Sequence, residues 1–321
     1  MLNEKTLARK RLWKEIVRHR SVYFIMLIPL VYYVIFKYVP IFNAQIAFKD
    51  FAAKKGVVGS PWATEVGADG VKSLSLFKHF KTFFSSYYFG QLLRNTLVYS
   101  FGKLLISVPM AILFAIVCYE SRRKYLRPIV QTLAYLPHFL SWVIVYGILL
   151  ALLAPGDGVV NDIIKLCGGQ PINFLTDTKT FPWIVLISDA WKEMGWSAII
   201  FIAALMGIDP SLYEAAMVEG ATAFQRTWYI TLPSIKPVIA TVVLLRLGTI
   251  LDAGFNQMYM LYSPSVYSVA DIIDTWVYRQ GLLEFQFSLA TAVGLFKGVI
   301  GFALVMFSNA MVRKISDTSI M

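Results

Sequence analysis

The stretch Tyr213-Glu214-Ala215-Ala216-Met217-Val218-Glu219-Gly220-Ala221 is a polar island between apolar runs, and it decides how the chain is organised. Asp209 can cap a short helix that begins at Pro210, because proline loses nothing at a first helical position whose N–H would be unpaired. Gly220 ends that helix, since glycine takes a left-handed C-terminal conformation without a Cβ penalty. The stretch therefore predicts a short helix followed by a tight turn.

A second helix is predicted directly after the turn. Thr222 is followed three positions later by Gln225, a capping box in which two otherwise unpaired N–H groups are satisfied reciprocally. Leu232-Pro233 closes the segment. Residues 209–233 are thus predicted to form a helix, a turn and a second helix.

Apolar residues make up 57% of the 321 positions and charged residues 15%, which excludes a soluble surface and predicts an integral membrane protein. The net charge of +11 does not indicate a nucleic-acid partner, because the basic residues lie beside apolar segments, as the positive-inside bias predicts. Neither Cys118 nor Cys167 is placed for a disulfide or a metal site. The basic residues predicted to be cytoplasmic are Lys5, Arg9, Lys10, Arg11, Lys14, Arg18, Arg20, Arg122, Arg123, Lys124, Arg127, Arg226, Lys236, Arg313 and Lys314.

The apolar run 21–47 follows a basic tail, which is also the pattern of a signal peptide. The run is longer than a signal-peptide core and no small-residue cleavage site follows closely, so we predict an uncleaved first helix with a cytoplasmic N-terminus. Residues 48–90 are predicted to form an irregular outer loop with an interfacial helix near 76–84. Five further spans are predicted at 92–119, 128–153, 183–206, 238–262 and 287–312, each long enough for a hydrocarbon core of about 30 Å.

The central segment resembles that of a known family. Glu214-Ala215-Ala216, then Gly220 after three intervening residues, then Leu232-Pro233 resemble the EAA loop of binding-protein-dependent ABC importer permeases, membrane subunits that dock onto a separate ATPase. Two positions depart from the family: Glu219 where Asp is usual, which keeps the charge, and Thr227 where Phe is usual, which removes one apolar docking contact. The resemblance implies an all-α polytopic membrane protein with about six transmembrane helices and the type I ABC importer permease fold.

Fainter similarities indicate the sugar-importer branch, and within it permeases for oligosaccharide or polysaccharide fragments. We predict that residues 1–90 hold the basic tail, first helix and outer loop, and that residues 91–321 hold a five-helix permease module with its coupling loop at 209–233. The similar motifs are Leu136-Pro137, Pro171-Ile172-Asn173-Phe174-Leu175, Trp191-Lys192-Glu193-Met194-Gly195, Ile208-Asp209-Pro210-Ser211-Leu212-Tyr213, Gly294-Leu295-Phe296-Lys297 and Ser308-Asn309.

The resemblance implies the permease subunit of an ATP-driven importer in a bacterial plasma membrane, with both termini cytoplasmic. The chain contains no Gly-x-x-x-x-Gly-Lys-Ser/Thr loop, so we expect no cofactor, metal or catalytic residue in it and expect a partner to bind ATP and magnesium. The implied partners are a second homologous permease, an ABC ATPase dimer, an extracytoplasmic sugar-binding protein and the lipid bilayer, with no nucleic acid. The residues expected to couple to the ATPase are Tyr213, Glu214, Ala215, Ala216, Glu219, Gly220, Ala221, Leu232 and Pro233.

A solute path is expected on the helices that flank the coupling loop. Asp189, Lys192, Glu193 and Trp196 are spaced i, i+3, i+4 and i+7, which places them on one helix face. Charges at membrane depth face a water-filled path or each other. Lys192 therefore either lines the path or pairs with Asp189 or Glu193 to lock helices together.

The candidate path also includes aromatic residues of the fourth predicted helix and polar residues of the fifth, which is predicted at 238–262. The rings of Trp191 and Trp196 suit the apolar face of a sugar, although a tryptophan in a membrane helix more often serves packing or anchors the helix at the interface. Lys192 and an arginine on the fifth helix would favour an acidic sugar, unless neighbouring carboxylates pair with them. Lys103 and Lys297 also fall in predicted spans, where they snorkel or pair, and we assign them no role. The fifth-helix candidates are Arg246 and Thr249 on one face and Asp252, Asn256 and Tyr259 on another.

Three alternatives remain open at this point. A secondary transporter could use Asp189 and Lys192 to bind a coupling proton, but no internal repeat is apparent and the inner loop carries a docking motif. A membrane-embedded enzyme would need clustered catalytic groups, whereas His19, His79 and His138 are scattered. An ABC permease for a non-sugar solute is the third alternative.

Overall fold

The structure is a computed structural model that describes residues 13–67, 69–121 and 125–315, with side chains given through residue 310. The described part is mostly helical, as the composition predicts. Strands β1 (Thr64–Val66) and β2 (Lys72–Leu74) form one antiparallel hairpin. The helices are α1 (Arg20–Phe48), α2 (Lys78–Phe84), α3 (Phe89–Glu120), α4 (Leu126–Phe139), α5 (Trp142–Leu153), α6 (Val159–Leu166), α7 (Phe181–Met206), α8 (Pro210–Val218), α9 (Ala223–Leu247), α10 (Phe255–Leu261), α11 (Ile273–Tyr278) and α12 (Phe287–Ile315).

Several helices contain short irregular turns. A π turn at Val34–Tyr38 interrupts α1, and a 3₁₀ turn at Ala44–Phe48 ends it. A π turn at Thr227–Thr231 interrupts α9. A 3₁₀ turn, Leu136–Phe139, ends α4. Single turns also occur at Ala53–Lys55, Gly56–Gly59, Ile250–Asp252, Pro264–Val266, Tyr267–Ala270 and Arg279–Leu283.

Within the described residues, four helices are long and apolar enough to cross a membrane: α1, α3, α9 and α12. Two bent pairs also meet this test when each is counted as one span, which raises the number to as many as six. The pairs are α4 with α5, bent by 106°, and α7 with α8, bent by 72°. An all-α membrane protein with about six spans is the architecture that the sequence predicts. Several basic residues used to predict its orientation lie outside the described residues: Lys5, Arg9, Lys10, Arg11, Arg122, Arg123 and Lys124, with the side chains of Arg313 and Lys314.

The span predicted over 128–153 is present only as a bent pair of helices, because the chain breaks between α4 and α5. Pro137 lies in the 3₁₀ turn at the end of α4, and Leu140 and Ser141 are extended. The Ser141 side chain then accepts a hydrogen bond from the Ile144 N–H at 3.4 Å and caps α5. Proline lacks a helical donor and serine offers a cap, so both residue types favour a break here.

The predicted helix over 238–262 is wrong. Helix α9 ends at Leu247, and Ala253 and Gly254 then take the left-handed conformation with φ values of 44° and 82°. Gly248 packs against α12, where a Cβ would meet Val305 at 3.1 Å. The predicted faces for the five fifth-helix candidates assumed continuous helical spacing. Those faces do not exist, because the helix is interrupted at residues 248–254.

The described residues of 13–81, together with 286–295, form one compact unit, and the segment predicted as an irregular loop is more ordered than that prediction. The hairpin was not predicted. The Asp50 carboxylate accepts hydrogen bonds from the Thr64 N–H at 3.1 Å and from Lys78 Nζ at 2.8 Å. Ser288 Oγ donates to the Lys49 carbonyl at 2.6 Å. The predicted helix near 76–84 is present as α2, and its place at the membrane interface stays a prediction.

The described residues of 82–285 and 296–315 form the second unit, which contains the coupling loop and the candidate path. Helices α3 and α7 pack along each other in it. One buried cluster, which includes Ala111, Phe201 and Ile235, joins α3, α7 and α9. A second cluster, which includes Tyr99 and Phe181, joins α3 and α7 to the segment after the α9 break. Two apolar clusters thus hold the helices on both sides of the polar groups described next.

Candidate functional site

The N-terminus of α8 is capped as predicted. The Asp209 carboxylate accepts a hydrogen bond from the Ser211 N–H at 3.0 Å, and Pro210 occupies the first turn. This hydrogen bond lowers the pKa of the Asp209 carboxyl below its usual value. The cap is therefore ionised at neutral pH and stabilises the positive end of the helix dipole.

The C-terminus of α8 ends in a complete Schellman motif. The Gly220 N–H donates to the Met217 carbonyl at 3.1 Å, and the Ala221 N–H donates to the Ala216 carbonyl at 2.9 Å. Gly220 has a φ of 81°, a conformation that glycine adopts without strain. The predicted stop at this glycine is confirmed.

The capping box that starts α9 is also confirmed. The Gln225 N–H donates to Thr222 Oγ1 at 3.3 Å, and the Thr222 N–H donates to Gln225 Oε1 at 2.8 Å. Arg226 Nη1 donates to the Ala221 carbonyl at 3.1 Å and so spans the turn. The helix, turn and helix of the coupling loop are therefore held by hydrogen bonds between near neighbours.

One face of α8 is anchored to the membrane helices. The Tyr213 hydroxyl lies 3.0 Å from Thr231 Oγ1, and Tyr213 and Leu232 pack against the buried cluster of α3, α7 and α9. Thr227 Oγ1 donates to Glu120 Oε1 at 2.9 Å, a contact between the start of α9 and the end of α3. Tyr213 and Leu232, which the resemblance placed in the coupling set, thus attach the loop to the helices behind it.

The other face of α8 is exposed and borders a hollow. Glu214, Ala215, Glu219 and Gly220 are exposed in the described structure. A hollow of about 320 Å³ lies between α8 and the start of α9. Its lining is Ala216, Glu219, Gly220, Ala221, Gln225, Arg226, Tyr229 and Ile230.

Exposed aromatic side chains beside this hollow were not predicted. Phe224 and Trp228 stack with ring centroids 6.1 Å apart, and they are 73% and 57% exposed. They flank Thr227, the position where the family usually has Phe. The two rings form an exposed aromatic pair at the start of a candidate membrane span. Aromatic residues next to a capping box in a polar segment were the sequence signal that could have revealed it.

A polar pocket of about 280 Å³ lies between α3, α7 and the end of α9. Five of the predicted path residues line it: Asp189, Glu193, Arg246, Thr249 and Asp252. The prediction missed the other lining residues because they lie on α3 or in the break after α9. These are Ser100, Lys103, Leu104, Ile250, Ala253 and Gly254.

The buried pair Lys103 and Asp189 joins α3 to α7. Lys103 Nζ lies 3.2 Å from Asp189 Oδ1 and donates to the Ala253 carbonyl at 3.0 Å. Ser107 Oγ donates to Asp189 Oδ2 at 3.1 Å. A Cβ on Gly254 would come within 2.2 Å of Lys103 Nζ. Lys103, to which no role was assigned, thus holds the left-handed break after α9 in place.

Lys192 and Glu193 join α7 to the break between α4 and α5. Lys192 Nζ donates to the His138 carbonyl at 2.5 Å and lies 3.4 Å from Glu193 Oε1. His138 Nδ1 lies 2.8 Å from Glu193 Oε2. Lys192 is buried. In the described structure Lys192 pairs with Glu193 on its own helix rather than with Asp189, and its hydrogen bond to the His138 carbonyl is the contact that joins two elements.

The remaining predicted path residues lie elsewhere. Trp196 stacks on the His138 ring at 4.6 Å, and Trp191 lines a separate apolar pocket of about 290 Å³ between α5, α6 and α7. The Tyr259 ring packs edge-on against Tyr278 at 4.9 Å. Asn256 is exposed. The structure therefore does not bring all ten candidates to one pocket.

Two further basic groups complete the polar region. Lys297 lies 3.5 Å from Asp252 Oδ1 and also pairs with Asp274. Arg246 Nη2 donates to Ser197 Oγ at 2.7 Å. Among the described residues, no group of three or more His, Cys, Asp or Glu side chains is arranged to hold a metal ion.

Comparisons with known proteins agree with this architecture. The family "binding-protein-dependent transport system inner membrane component" matches residues 107–317. The polygalacturonan/rhamnogalacturonan transport system permease protein YteP of Bacillus subtilis (strain 168) is 40% identical over 312 residues, 97% of this chain and 94% of that protein.

Two solved structures of bacterial ABC transporters are similar over nearly the whole chain, each at 40% identity. One is a transporter involved in the import of the acidic polysaccharide alginate, with a TM-score of 0.84 over 95% of this chain and 99% of that chain. The other is the alginate transporter in complex with an alginate pentasaccharide-bound periplasmic protein, with a TM-score of 0.85 over 97% and 100%.

These matches decide whether the chain is an ABC importer permease, a secondary transporter or a membrane-embedded enzyme. The fold is that of a type I ABC importer permease, and neither a secondary transporter nor an enzyme is favoured. Permeases of this family work with a separate ATPase, a second permease and a binding protein, and they do not hydrolyse ATP themselves. The chain belongs to the family of binding-protein-dependent transport system inner membrane components, the membrane-spanning permease subunits of ABC importers.

Proposed function

We propose that this permease translocates a sugar, an oligosaccharide or a polysaccharide fragment, by alternating access. The observation that supports the sugar class is the full-length similarity to permeases and transporters whose names give polygalacturonan, rhamnogalacturonan and alginate as their cargo. The pocket chemistry agrees, because its carboxylates and hydroxyls accept and donate the hydrogen bonds that sugar hydroxyls need.

The coupling step is proposed to run through α8. This helix is capped at both ends, and its exposed face with the adjoining hollow would lodge in a cleft of the ATPase, with Glu214 reaching a basic residue there. Helix α8 lies between α7 and α9 in the chain. Both of these neighbours line the pocket, together with α3. A rigid-body movement of α8 on ATP binding would therefore move both of these walls.

The same proposal includes the orientation of the chain in the membrane and the binding of ATP and magnesium by the partner ATPase. With α8 on the ATPase side, both termini and the loop between α3 and α4 lie in the cytoplasm of a bacterial cell. ATP and magnesium bind the ATPase, and a loaded extracytoplasmic binding protein delivers the sugar to the opposite side. This polarity agrees with the positive-inside bias of the sequence.

Uptake of labelled neutral and acidic oligosaccharides tests the proposal in cells with and without this chain. Glu214→Lys reverses the charge at the centre of the docking face and should abolish ATP-dependent uptake at unchanged membrane abundance. Asp157→Lys, an equivalent change in the exposed turn between α5 and α6, is the matched control and should transport normally. Normal uptake by Glu214→Lys would overturn the coupling role, and unchanged uptake of every sugar without the chain would overturn the sugar class.

A further inference from the structure

Arg246 is a basic residue of the polar pocket whose guanidinium has free hydrogen-bond donors. It lies in the last turn of α9, immediately before the break, and it lines the pocket. Its Nη2 donates to Ser197 Oγ on α7 at 2.7 Å. A guanidinium carries five N–H donors in a planar fork, so this one hydrogen bond leaves most of its donors available.

The other three basic residues around the pocket are all neutralised. Lys103 lies 3.2 Å from Asp189, Lys192 lies 3.4 Å from Glu193, and Lys297 pairs with Asp252 and Asp274. No carboxylate of the described residues lies within 4.0 Å of the Arg246 guanidinium. Arg246 is thus the one basic side chain of this group that keeps an unpaired charge in the described structure.

The carboxylates that share the pocket with Arg246 are engaged elsewhere. Asp189 and Glu193 have their own cationic partners, and Asp252 lies beside Lys297 with 71% of its side chain exposed. Lys297 pairs with both Asp252 and Asp274, and of these two carboxylates only the exposed Asp252 lines the pocket opposite the unpaired charge of Arg246. The pocket is therefore dipolar rather than uniformly positive.

A dipolar pocket selects a particular kind of sugar. The positive end suits a planar carboxylate, which the guanidinium fork binds bidentately. The negative end at Asp252 suits hydroxyl groups, which donate hydrogen bonds to an ionised carboxylate. A sugar that carries both groups on one ring, a uronate, complements both ends.

We infer that Arg246 binds a carboxylate of the solute and makes this permease selective for uronate-containing oligosaccharides. The inference rests on the proposed sugar import and adds the substrate class and the residue that determines it. The pairing that would have cancelled such a preference, between Arg246 and a neighbouring carboxylate, is absent from the described structure. Lys192 is excluded from this role because it is buried and paired.

A purely structural role for Arg246 is the competing explanation. The residue ties the end of α9 to α7 through Ser197, and a cation at a helix C-terminus is favourable in itself. In that case its removal would loosen the pocket for every solute alike. The two explanations therefore differ in whether the effect depends on the carboxylate of the sugar.

The experiment uses the complete transporter in proteoliposomes, with its partner permease, ATPase and binding protein. The probes are trisaccharides of galacturonate and of mannuronate, each compared with the same trisaccharide after reduction of its carboxyl groups to alcohols. Each rate is taken as the ratio of variant to wild type, so the preference of the binding protein cancels. The variants are Arg246→Gln and Arg246→Lys, and Arg94→Gln on an exposed position of α3 is the matched control.

Arg246→Gln should lower uptake of at least one uronate trisaccharide roughly tenfold, the factor expected for loss of one charge-assisted bidentate contact. Uptake of its reduced form and ATPase stimulation by the binding protein should stay within about twofold of wild type, because the docking surface is untouched. Arg246→Lys should retain part of the uronate uptake, since it keeps the charge but loses the fork.

Equal losses for the uronate and its reduced form, or no loss for either, would overturn the inference. Wild-type import of neutral oligosaccharides alone would overturn it while leaving the proposed sugar import standing. Import of no sugar at all by the wild-type transporter would instead overturn the proposed function.

Discussion

The coupling loop and the polar pocket are held together by opposite kinds of contact. In the coupling loop the hydrogen bonds of the caps and the turn join residues two to five positions apart, as in the capping box of Thr222 and Gln225. Two longer-range bonds, from Tyr213 and Thr227, attach the loop to the helices behind it. In the pocket the bonds join different helices, and Lys103 donates to the Ala253 carbonyl across 150 positions. The loop therefore keeps its shape when its surroundings move, whereas the pocket depends on how the helices are placed.

This difference suits the two tasks of an importer. A loop that is locally self-sufficient can dock and be displaced as a rigid body. The walls of the pocket are joined by the ion pair of Lys103 on α3 with Asp189 on α7, so the pocket changes whenever these helices shift. The following substitutions test this contrast, beginning with the largest expected effect.

Lys103→Met should destabilise the protein by about 3–5 kcal/mol, because it leaves the Asp189 carboxylate buried without its partner. The measurement is the free energy of unfolding in mixed micelles. The double variant Lys103→Met with Asp189→Leu removes both charges and should recover much of the loss. A double variant as unstable as the sum of the single variants would show that the pair does not hold the pocket.

Gly195→Ala should destabilise by about 1–3 kcal/mol, the cost of overpacking a close contact. A Cβ at this position would come within 2.1 Å of the Ala134 carbonyl on α4, so the two helices must separate. Gly147→Ala on α5, where a Cβ meets no atom within 4 Å, is the control and should melt at the wild-type temperature. Equal melting temperatures for both variants would contradict the close packing.

Gly220→Ala should leave the pocket intact and lower ATP-driven uptake roughly five- to thirtyfold. A left-handed alanine costs about 1–2 kcal/mol, and that cost falls on the docking conformation itself. Gly90→Ala, in the first turn of α3, adds a methyl in open space at ordinary φ and should transport normally. Wild-type uptake by Gly220→Ala would show that the turn is not needed for coupling.

Thr222→Ala should cost about 1 kcal/mol, confined to the first turn of α9, because it removes the side-chain half of the capping box. Hydrogen exchange at the Gln225 amide should accelerate, while exchange in α7 stays unchanged. Thr222→Ser keeps the hydroxyl and should keep the protection. Faster exchange throughout α9 and α7 would mean that the loop is not locally self-sufficient.

The two helix breaks mark the limit of what could be predicted from the sequence. The run over 238–262 is predominantly apolar with glycines at both ends of the break, and a glycine in a membrane helix is equally consistent with close packing. Gly248 does pack closely against α12, whereas Gly254 adopts a positive φ that depends on Lys103 bonding the neighbouring carbonyl. A contact from α3 therefore holds the left-handed turn that follows α9.

The sequence alone determined the membrane class, the permease family and the geometry of the coupling loop, because composition and capping are properties of neighbouring residues. Only the tertiary structure decided which charge pairs with which. Asp189 could bind Lys192 on its own helix, yet it binds Lys103 on α3, and Lys192 binds Glu193. Helix packing sets these distances, and electrostatic pairing follows distance. The same packing leaves Arg246 unpaired among the described carboxylates, which is the feature from which the substrate class is inferred.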